Sequence, residues 1–155
     1  MAVTDIYNFI QINDRMATAG QPTEDQFHEA HGAGYQVVIN LAPDGLETSL
    51  PGERELLRSL GIDYIHIPVA WSEPRIDKLQ AFEAAMEANA GRRTLIHCQA
   101  NYRVTAFFAL YAMAKLGWTS AQADSLIDRI WGSRPDYQMD DTWKEFIAAA
   151  RKRPA

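Results

Sequence analysis

The fold is decided by the stretch TLIHCQANYRVT, residues 94–105. Its first four residues, Thr94–His97, form a short apolar run that is typical of a buried strand. Residues 104–113 leave no polar face, which indicates a helix that is buried all round. A short loop from Cys98 to Arg103 joins the two. A strand that passes directly into a helix is the building unit of an α/β domain, whose sites lie where strands end and helices begin.

Four further β-rich runs predict strands elsewhere in the chain. They cover residues 6–12, 15–18, 36–41 and 63–69, and each is bounded by Gly, Pro, Asn or Asp. With residues 94–97 they make five strand candidates.

Helix signals alternate with these strands. Thr23 and Gln26 form a capping box, as do Thr119 and Gln122. Residues 53–60 are a helix candidate, apolar residues recur at helical spacing from 76 to 86, and a last helix is expected to start near Asp140. The alternation predicts a single α/β domain, residues 1–155, with a mostly parallel central sheet of four or five strands flanked by helices.

The composition restricts the partners and the compartment. The 155 residues carry a formal net charge of -5, which disfavours nucleic acid and anionic membranes as partners. The charge-free run 104–114 is shorter than the roughly 20 apolar residues that cross a bilayer. The single cysteine allows no internal disulfide, and the amino-terminal residues lack the order of a secretory signal. We therefore expect a cytoplasmic protein without membrane contact.

The loop between Cys98 and Arg103 has the features of an anion-binding site. Backbone N–H groups at a helix start are unpaired, the helix dipole adds positive potential, and consecutive amides in a tight loop form a nest for an anion. Such surroundings favour a thiolate, so Cys98 is the candidate nucleophile. Arg103 is the candidate group for gripping two phosphoryl oxygens. The structural alternative is that Cys98 is a small core residue, which is the ordinary role of a lone cysteine.

The loop resembles the signature loop of the protein tyrosine and dual-specificity phosphatases, in which His-Cys is followed after several residues by Arg. His97, Cys98 and Arg103 occupy those positions. The wider chain is similar to a small bacterial branch of this superfamily over about residues 6–116. The segments that carry the similarity are AGQP (19–22), VINL (38–41), GIDY (61–64) and IPV (67–69).

This resemblance implies a cysteine phosphatase-like fold and hydrolysis of phosphoesters through a phosphocysteine on Cys98. From its position before the cysteine we expect His97 to support the loop through hydrogen bonds, and Trp71 is a candidate for the wall of the cleft. The substrate would be a phosphorylated protein or a small phosphoester, with phosphotyrosine and aryl phosphates favoured, and no metal or organic cofactor is implied. The implied phosphate-binding residues are Gln99, Ala100, Asn101, Tyr102 and Arg103.

The loop is shorter than the usual pattern. Only four residues separate Cys98 from Arg103, whereas the phosphatase loop has five. The four-residue spacing is similar to that of rhodanese-type sulfurtransferases, which carry a persulfide on the cysteine, so sulfur transfer is an alternative function. Asn101 stands where many relatives have Gly, and Asn tolerates the left-handed backbone conformation better than most residues.

The general acid of typical relatives is an Asp about thirty residues before the cysteine. In this chain Ala70 and Trp71 lie at that distance, which leaves Glu73 as the candidate acid and Asp77 as a poorer one. Without an acid we expect slow turnover that favours leaving groups needing no proton. A non-catalytic module that binds phosphoanions is the third alternative.

Overall fold

The computed structural model of the chain describes residues 2–133 and 139–153. Its strands are Ile10–Gln11 (β1), Met16–Ala19 (β2), Val37–Asn40 (β3), Asp63–His66 (β4) and Thr94–His97 (β5). They form one sheet in the order β1-β2-β5-β3-β4, in which β1 is antiparallel to β2 and the other pairs are parallel. The predicted α/β domain with a mostly parallel sheet is confirmed.

The helices surround this sheet as the sequence predicts. Thr23 and Thr119 cap the first turns of their helices through reciprocal hydrogen bonds with Gln26 and Gln122. The last helix begins after Asp140, whose side chain accepts from the Trp143 amide at 3.0 Å. None of the described helices is long and apolar enough to cross a membrane. The α-helices are Glu24–Gly32 (α1), Glu53–Ser59 (α2), Ile76–Ala88 (α3), Tyr102–Lys115 (α4), Ser120–Trp131 (α5) and Asp141–Arg151 (α6).

The first predicted strand is much shorter than expected. Of residues 6–12, only Ile10–Gln11 are strand, and a 3-10 helix at Val3–Asp5 precedes them. The reason is Asn8, which has the left-handed φ of 54° and therefore cannot continue an extended run. Its side chain donates to the Ala100 carbonyl at 2.9 Å, so this segment braces the loop after β5.

Alternate residues of the central strands pack into two cores. Val37, Ile39 and Ile96 join residues of α3, α4, α5 and α6 on one face of the sheet. Val38 and Leu95 join residues of α1 and α2 on the other face. This is the alternation of a strand that is covered on both sides.

The carboxyl ends of the parallel strands meet at one edge of the sheet. Ala19 of β2 and Asn40 of β3 both lie beside His97, the last residue of the central strand β5. His66 of β4 lies beside Asn40 in turn. The loops that follow these four strands therefore converge around Cys98, which is the position expected for a site in an α/β sheet.

Candidate active site

Cys98 lies immediately after β5 and is fully buried. Its backbone N–H donates to the Ala19 carbonyl at 3.3 Å, which continues the pairing of β2 with β5 by one residue. Cys98 is therefore the first residue of the loop that leads from the end of β5 to Arg103 and α4.

Two asparagines, Asn8 and Asn101, fix the conformation of the loop through hydrogen bonds. Asn101 has the left-handed φ of 70°, a conformation that Asn tolerates, and its side chain is fully buried. Its Nδ2 donates to the Asn8 carbonyl at 2.8 Å and to Thr18 Oγ1 at 3.0 Å. Because the Asn8 side chain donates back to Ala100, the two segments fix each other.

Two backbone amides of the loop are left over as donors. The Gln99 carbonyl accepts from the Gln21 amide at 3.1 Å, yet the N–H groups of Gln99 and Ala100 have no acceptor within residues 2–133 and 139–153. These two amides lie just before the amino-terminal end of α4, where the helix dipole adds positive potential. Consecutive donors at a helix start suit an anion.

Arg103 reaches back across the loop to the strand ends. The side chain is only 5% exposed, and its Nε donates to the Val69 carbonyl at 2.8 Å. Burial lowers the pKa of the guanidinium, while attraction and a hydrogen bond to Cys98 oppose that lowering. The structure thus brings together the cysteine and the arginine that the sequence singles out, and the guanidinium adds positive charge beside the thiol.

His97 forms a buried pair with Glu53. The Nε2 atom of His97 lies 2.8 Å from Glu53 Oε2, and its Nδ1 lies 3.3 Å from the Cys98 carbonyl oxygen. Glu53 also accepts from Gln21 Nε2 at 2.8 Å. Sequence reasoning missed Glu53 as a site residue because an acidic residue in the first turn of a helix is common and is ordinarily solvated.

Trp71 is half-buried and covers the guanidinium of Arg103, with 5.3 Å between the guanidinium carbon and the ring centroid. The Trp71 ring also packs on Trp131 of α5 at 5.4 Å and on Trp143 of α6 at 5.2 Å. Trp143 Nε1 donates to the Trp71 carbonyl at 2.9 Å. The two last helices therefore anchor the loop that carries Trp71.

Glu73 lies in a tight turn that starts at Ala70, whose carbonyl accepts from the Glu73 amide at 3.2 Å. The Glu73 side chain is 73% exposed and lies 4.0 Å from Arg75. In the described part of the chain, no hydrogen bond or ion pair joins the Glu73 side chain to the loop from Cys98 to Arg103.

A cleft of about 520 Å³ opens beside the loop at Gln99 and Ala100. The cleft is lined by apolar side chains and by hydroxyl and amide groups. The exposed ring of Tyr7 forms part of this lining. The other lining residues are Gln21, Pro22, Thr23, Glu24, Thr48, Ser49 and Leu50.

Comparison with known sequences identifies a family. A protein-family model described as "Beta-lactamase hydrolase-like protein, phosphatase-like domain" matches residues 8–115. A beta-lactamase hydrolase-like protein of Xylella fastidiosa is 36% identical over 104 residues, which are 65% of this chain and 24% of that protein. The chain thus corresponds to about a quarter of the curated relatives that it matches.

Comparison with solved structures extends the likeness over nearly the whole chain. A candidate phosphatase of Shewanella putrefaciens CN-32 superposes with a TM-score of 0.84 at 30% identity, covering 96% of this chain and 93% of that one. Tk-PTP in its active form superposes with a TM-score of 0.75 at 19% identity, covering 95% and 98%. At 19% identity, the similarity to Tk-PTP shows a shared fold only.

Proposed function

Because the chain belongs to the family of phosphatase-like domains of beta-lactamase hydrolase-like proteins, we propose that it is a cysteine-dependent phosphatase acting on phosphoesters. The observation that carries the proposal is the buried Arg103 guanidinium, which interacts with Cys98 next to a loop whose Gln99 and Ala100 amides have no acceptor among the described residues. A buried guanidinium beside a thiol favours the thiolate and leaves donor groups for a bound phosphate.

In the first step the Cys98 thiolate attacks phosphorus and the P–O bond to the leaving group breaks. The leaving group departs with the bonding electrons and takes up a proton. During this step the negative charge spreads over three phosphoryl oxygens, which the Gln99 and Ala100 amides and the terminal nitrogens of Arg103 stabilise. The product is a phosphocysteine.

In the second step a water molecule attacks the phosphorus of this intermediate. The P–S bond breaks, inorganic phosphate leaves and the thiolate is regenerated, so no redox change and no cofactor is involved. The same donors hold the phosphoryl oxygens in both steps.

The substrate is proposed to be a phosphotyrosine protein, an aryl phosphate or another small phosphoester. The cleft beside Gln99 supports this class because Tyr7 and Leu50 offer apolar surface to a leaving group. Glu73 is the candidate acid, but its exposure and its closeness to Arg75 predict a small contribution.

Sulfur transfer is the second candidate function, and the four-residue spacing from Cys98 to Arg103 favours it. In that reaction the thiolate attacks the outer sulfur of thiosulfate, the S–S bond breaks and sulfite leaves, which forms a persulfide. Cyanide then attacks the outer sulfur of the persulfide, thiocyanate leaves and the thiolate is regenerated. The two reactions use the same loop but different substrates.

The experiment assays the purified protein in parallel for p-nitrophenyl phosphate hydrolysis and for thiosulfate-to-cyanide sulfur transfer. We expect phosphate release, and we expect Cys98→Ser to abolish it with an unchanged circular dichroism spectrum. Sulfur transfer without phosphate release would establish the second candidate. Phosphate binding with neither activity would identify a non-catalytic module.

A further inference from the structure

A buried hydrogen-bond network lies directly behind the proposed nucleophile. It joins Glu53 of α2 to His97 of β5, which are both at most 6% exposed, and Tyr64 of β4 interacts with the Glu53 carboxyl. Asn40 of β3 extends it, since its Nδ2 donates to Tyr64 Oη at 3.0 Å. Three adjacent strands and one helix therefore contribute to a single polar cluster.

Both ring nitrogens of His97 face acceptors. Glu53 Oε2 lies 2.8 Å from Nε2, and the Cys98 carbonyl oxygen lies 3.3 Å from Nδ1. A neutral imidazole has one N–H and can donate to only one of them. With Glu53 ionised, both contacts are hydrogen bonds only when His97 is an imidazolium, whereas a protonated Glu53 would itself donate to Nε2 of a neutral ring.

The surroundings of Glu53 favour its ionised form. Burial alone would raise the pKa of this carboxyl, but hydrogen bonds and charge from His97, with further hydrogen bonds from Gln21 and Tyr64, outweigh burial and lower it. A carboxylate that accepts several hydrogen bonds is the usual form in such a site.

Among the described residues, none of the other titratable and charged groups around the pair replaces Glu53 as the negative charge that faces the His97 ring. Burial is the main cause that raises the pKa of Tyr64 to about 12, so Tyr64 stays a neutral donor. Arg54 lies over the Tyr64 ring at 5.0 Å, and Asp44 acts on the same hydroxyl. On the Nδ1 side of His97 the neighbouring group is the Cys98 carbonyl, and the Cys98 side chain interacts in turn with Arg103.

We propose that Glu53 is a positioning residue for the proposed reaction: it holds His97 with both ring N–H groups donating, which fixes the Cys98 carbonyl and places a positive charge behind the nucleophile. The inference rests on the proposed function. Its chemical consequence is a larger thiolate fraction at Cys98 at low pH, because a nearby cation favours the anionic form.

The test compares Glu53→Gln with Glu55→Gln, which removes an exposed carboxylate from the same helix turn. Iodoacetamide alkylation of Cys98, the only cysteine, is followed by mass over pH 5–9. For Glu53→Gln we expect the midpoint to rise by about one pH unit and the rate at pH 6 to fall about threefold, after allowing for the greater nucleophilicity of a more basic thiolate. Glu55→Gln should follow the wild type.

Two further measurements keep the inference testable if Glu53→Gln does not fold. Glu53→Asp retains the charge and should recover most of the low-pH reactivity. Nitrogen NMR of the wild-type His97 ring at neutral pH should show both nitrogens protonated, and a neutral ring would overturn the inference.

The outcomes also separate this inference from the proposed function. A wild-type curve shifted to low pH, with Glu53→Gln identical to it, would overturn the role of Glu53 alone. A wild-type curve that keeps rising through about pH 8.5, as for an ordinary thiol, would overturn both.

Discussion

The Nε atom of Arg103 donates a 2.8 Å hydrogen bond to the backbone carbonyl of Val69, which lies 34 residues earlier in the chain. Val69 follows β4 and Arg103 lies in the first turn of α4, so this bond joins the segments that follow β4 and β5 at the carboxyl edge of the sheet. It also sets the direction of the guanidinium, whose remaining nitrogens are available near Cys98.

Arg103→Lys should remove this orientation. An ammonium group can neither keep the Nε bond to Val69 nor grip two oxygens in one plane, so we expect kcat/KM for p-nitrophenyl phosphate to fall by about 10²–10³. Arg75→Lys, at an exposed arginine, is the matched control and should have no effect. Turnover of the Arg103 variant close to that of the wild type would limit Arg103 to a structural role.

Trp71→Ala should weaken phosphate binding and stability together. The variant loses the ring over Arg103 and its packing on Trp131 and Trp143, which would lower the free energy of unfolding by up to about 3–5 kcal/mol. We expect the inhibition constant of inorganic phosphate to rise several-fold. Trp118 is a half-buried ring that contacts Phe108. Trp118→Ala should therefore lower the stability without changing the inhibition constant of phosphate. Equal phosphate inhibition in both variants would contradict a role for Trp71 at the site.

Gly20→Ala should disturb the loop through direct contact. A Cβ at Gly20 would lie 2.9 Å from the Gln99 carbonyl oxygen and 3.0 Å from the Tyr7 carbonyl oxygen, both of which are backbone atoms. We expect a loss of about 1–3 kcal/mol in the free energy of unfolding and slower turnover. Gly32→Ala has open space around it and should instead stabilise the protein by about 0.4–1 kcal/mol. Denaturant titration distinguishes the two, and a neutral Gly20 variant would show that the loop can move aside.

Glu73→Gln should have a weak effect on hydrolysis. A general acid raises the rate by about 10²–10⁴ for leaving groups that need a proton. Because Glu73 is exposed, we expect Glu73→Gln to slow the hydrolysis of alkyl and aryl phosphates equally and by less than about tenfold. Asp77→Asn removes the other carboxylate that pairs with Arg75 and is the matched control. A much larger loss for alkyl than for aryl phosphates in one variant would identify that residue as the acid.

The stability of the protein should fall on acidification partly through Glu53. Its folded-state pKa lies below the ordinary value of 4.5, so the unfolded chain binds this proton more readily. The contribution is therefore complete above the ordinary value and is lost as pH falls through the folded-state pKa. Urea titrations from pH 3 to 7 should show that the free energy of unfolding falls less steeply with decreasing pH in Glu53→Gln than in the wild type. The difference in slope should be at most about 1.4 kcal/mol per pH unit. Identical slopes would contradict a depressed pKa.

Much of the architecture was predictable from local signals. Capping boxes at Thr23 and Thr119, and the apolar strand and helix on either side of Cys98, depend only on residues close in sequence. The α/β class and the positions of the central strands follow from that pattern. The first strand was wrong in length because the left-handed Asn8 serves a distant contact with Ala100 rather than its own segment.

The sequence by itself determined the strand-loop-helix unit, the pairing of Cys98 with Arg103 as candidates, and the left-handed turn at Asn101. Only the tertiary structure decided which groups surround them. Glu53 lies 44 residues from His97, and Val69 lies 34 residues from Arg103, so no local pattern relates these partners. The parallel sheet brings these partners together, because its register places the carboxyl ends of strands from distant parts of the chain at one edge. The loops that follow those strands share buried space there, so their polar groups must form hydrogen bonds with one another.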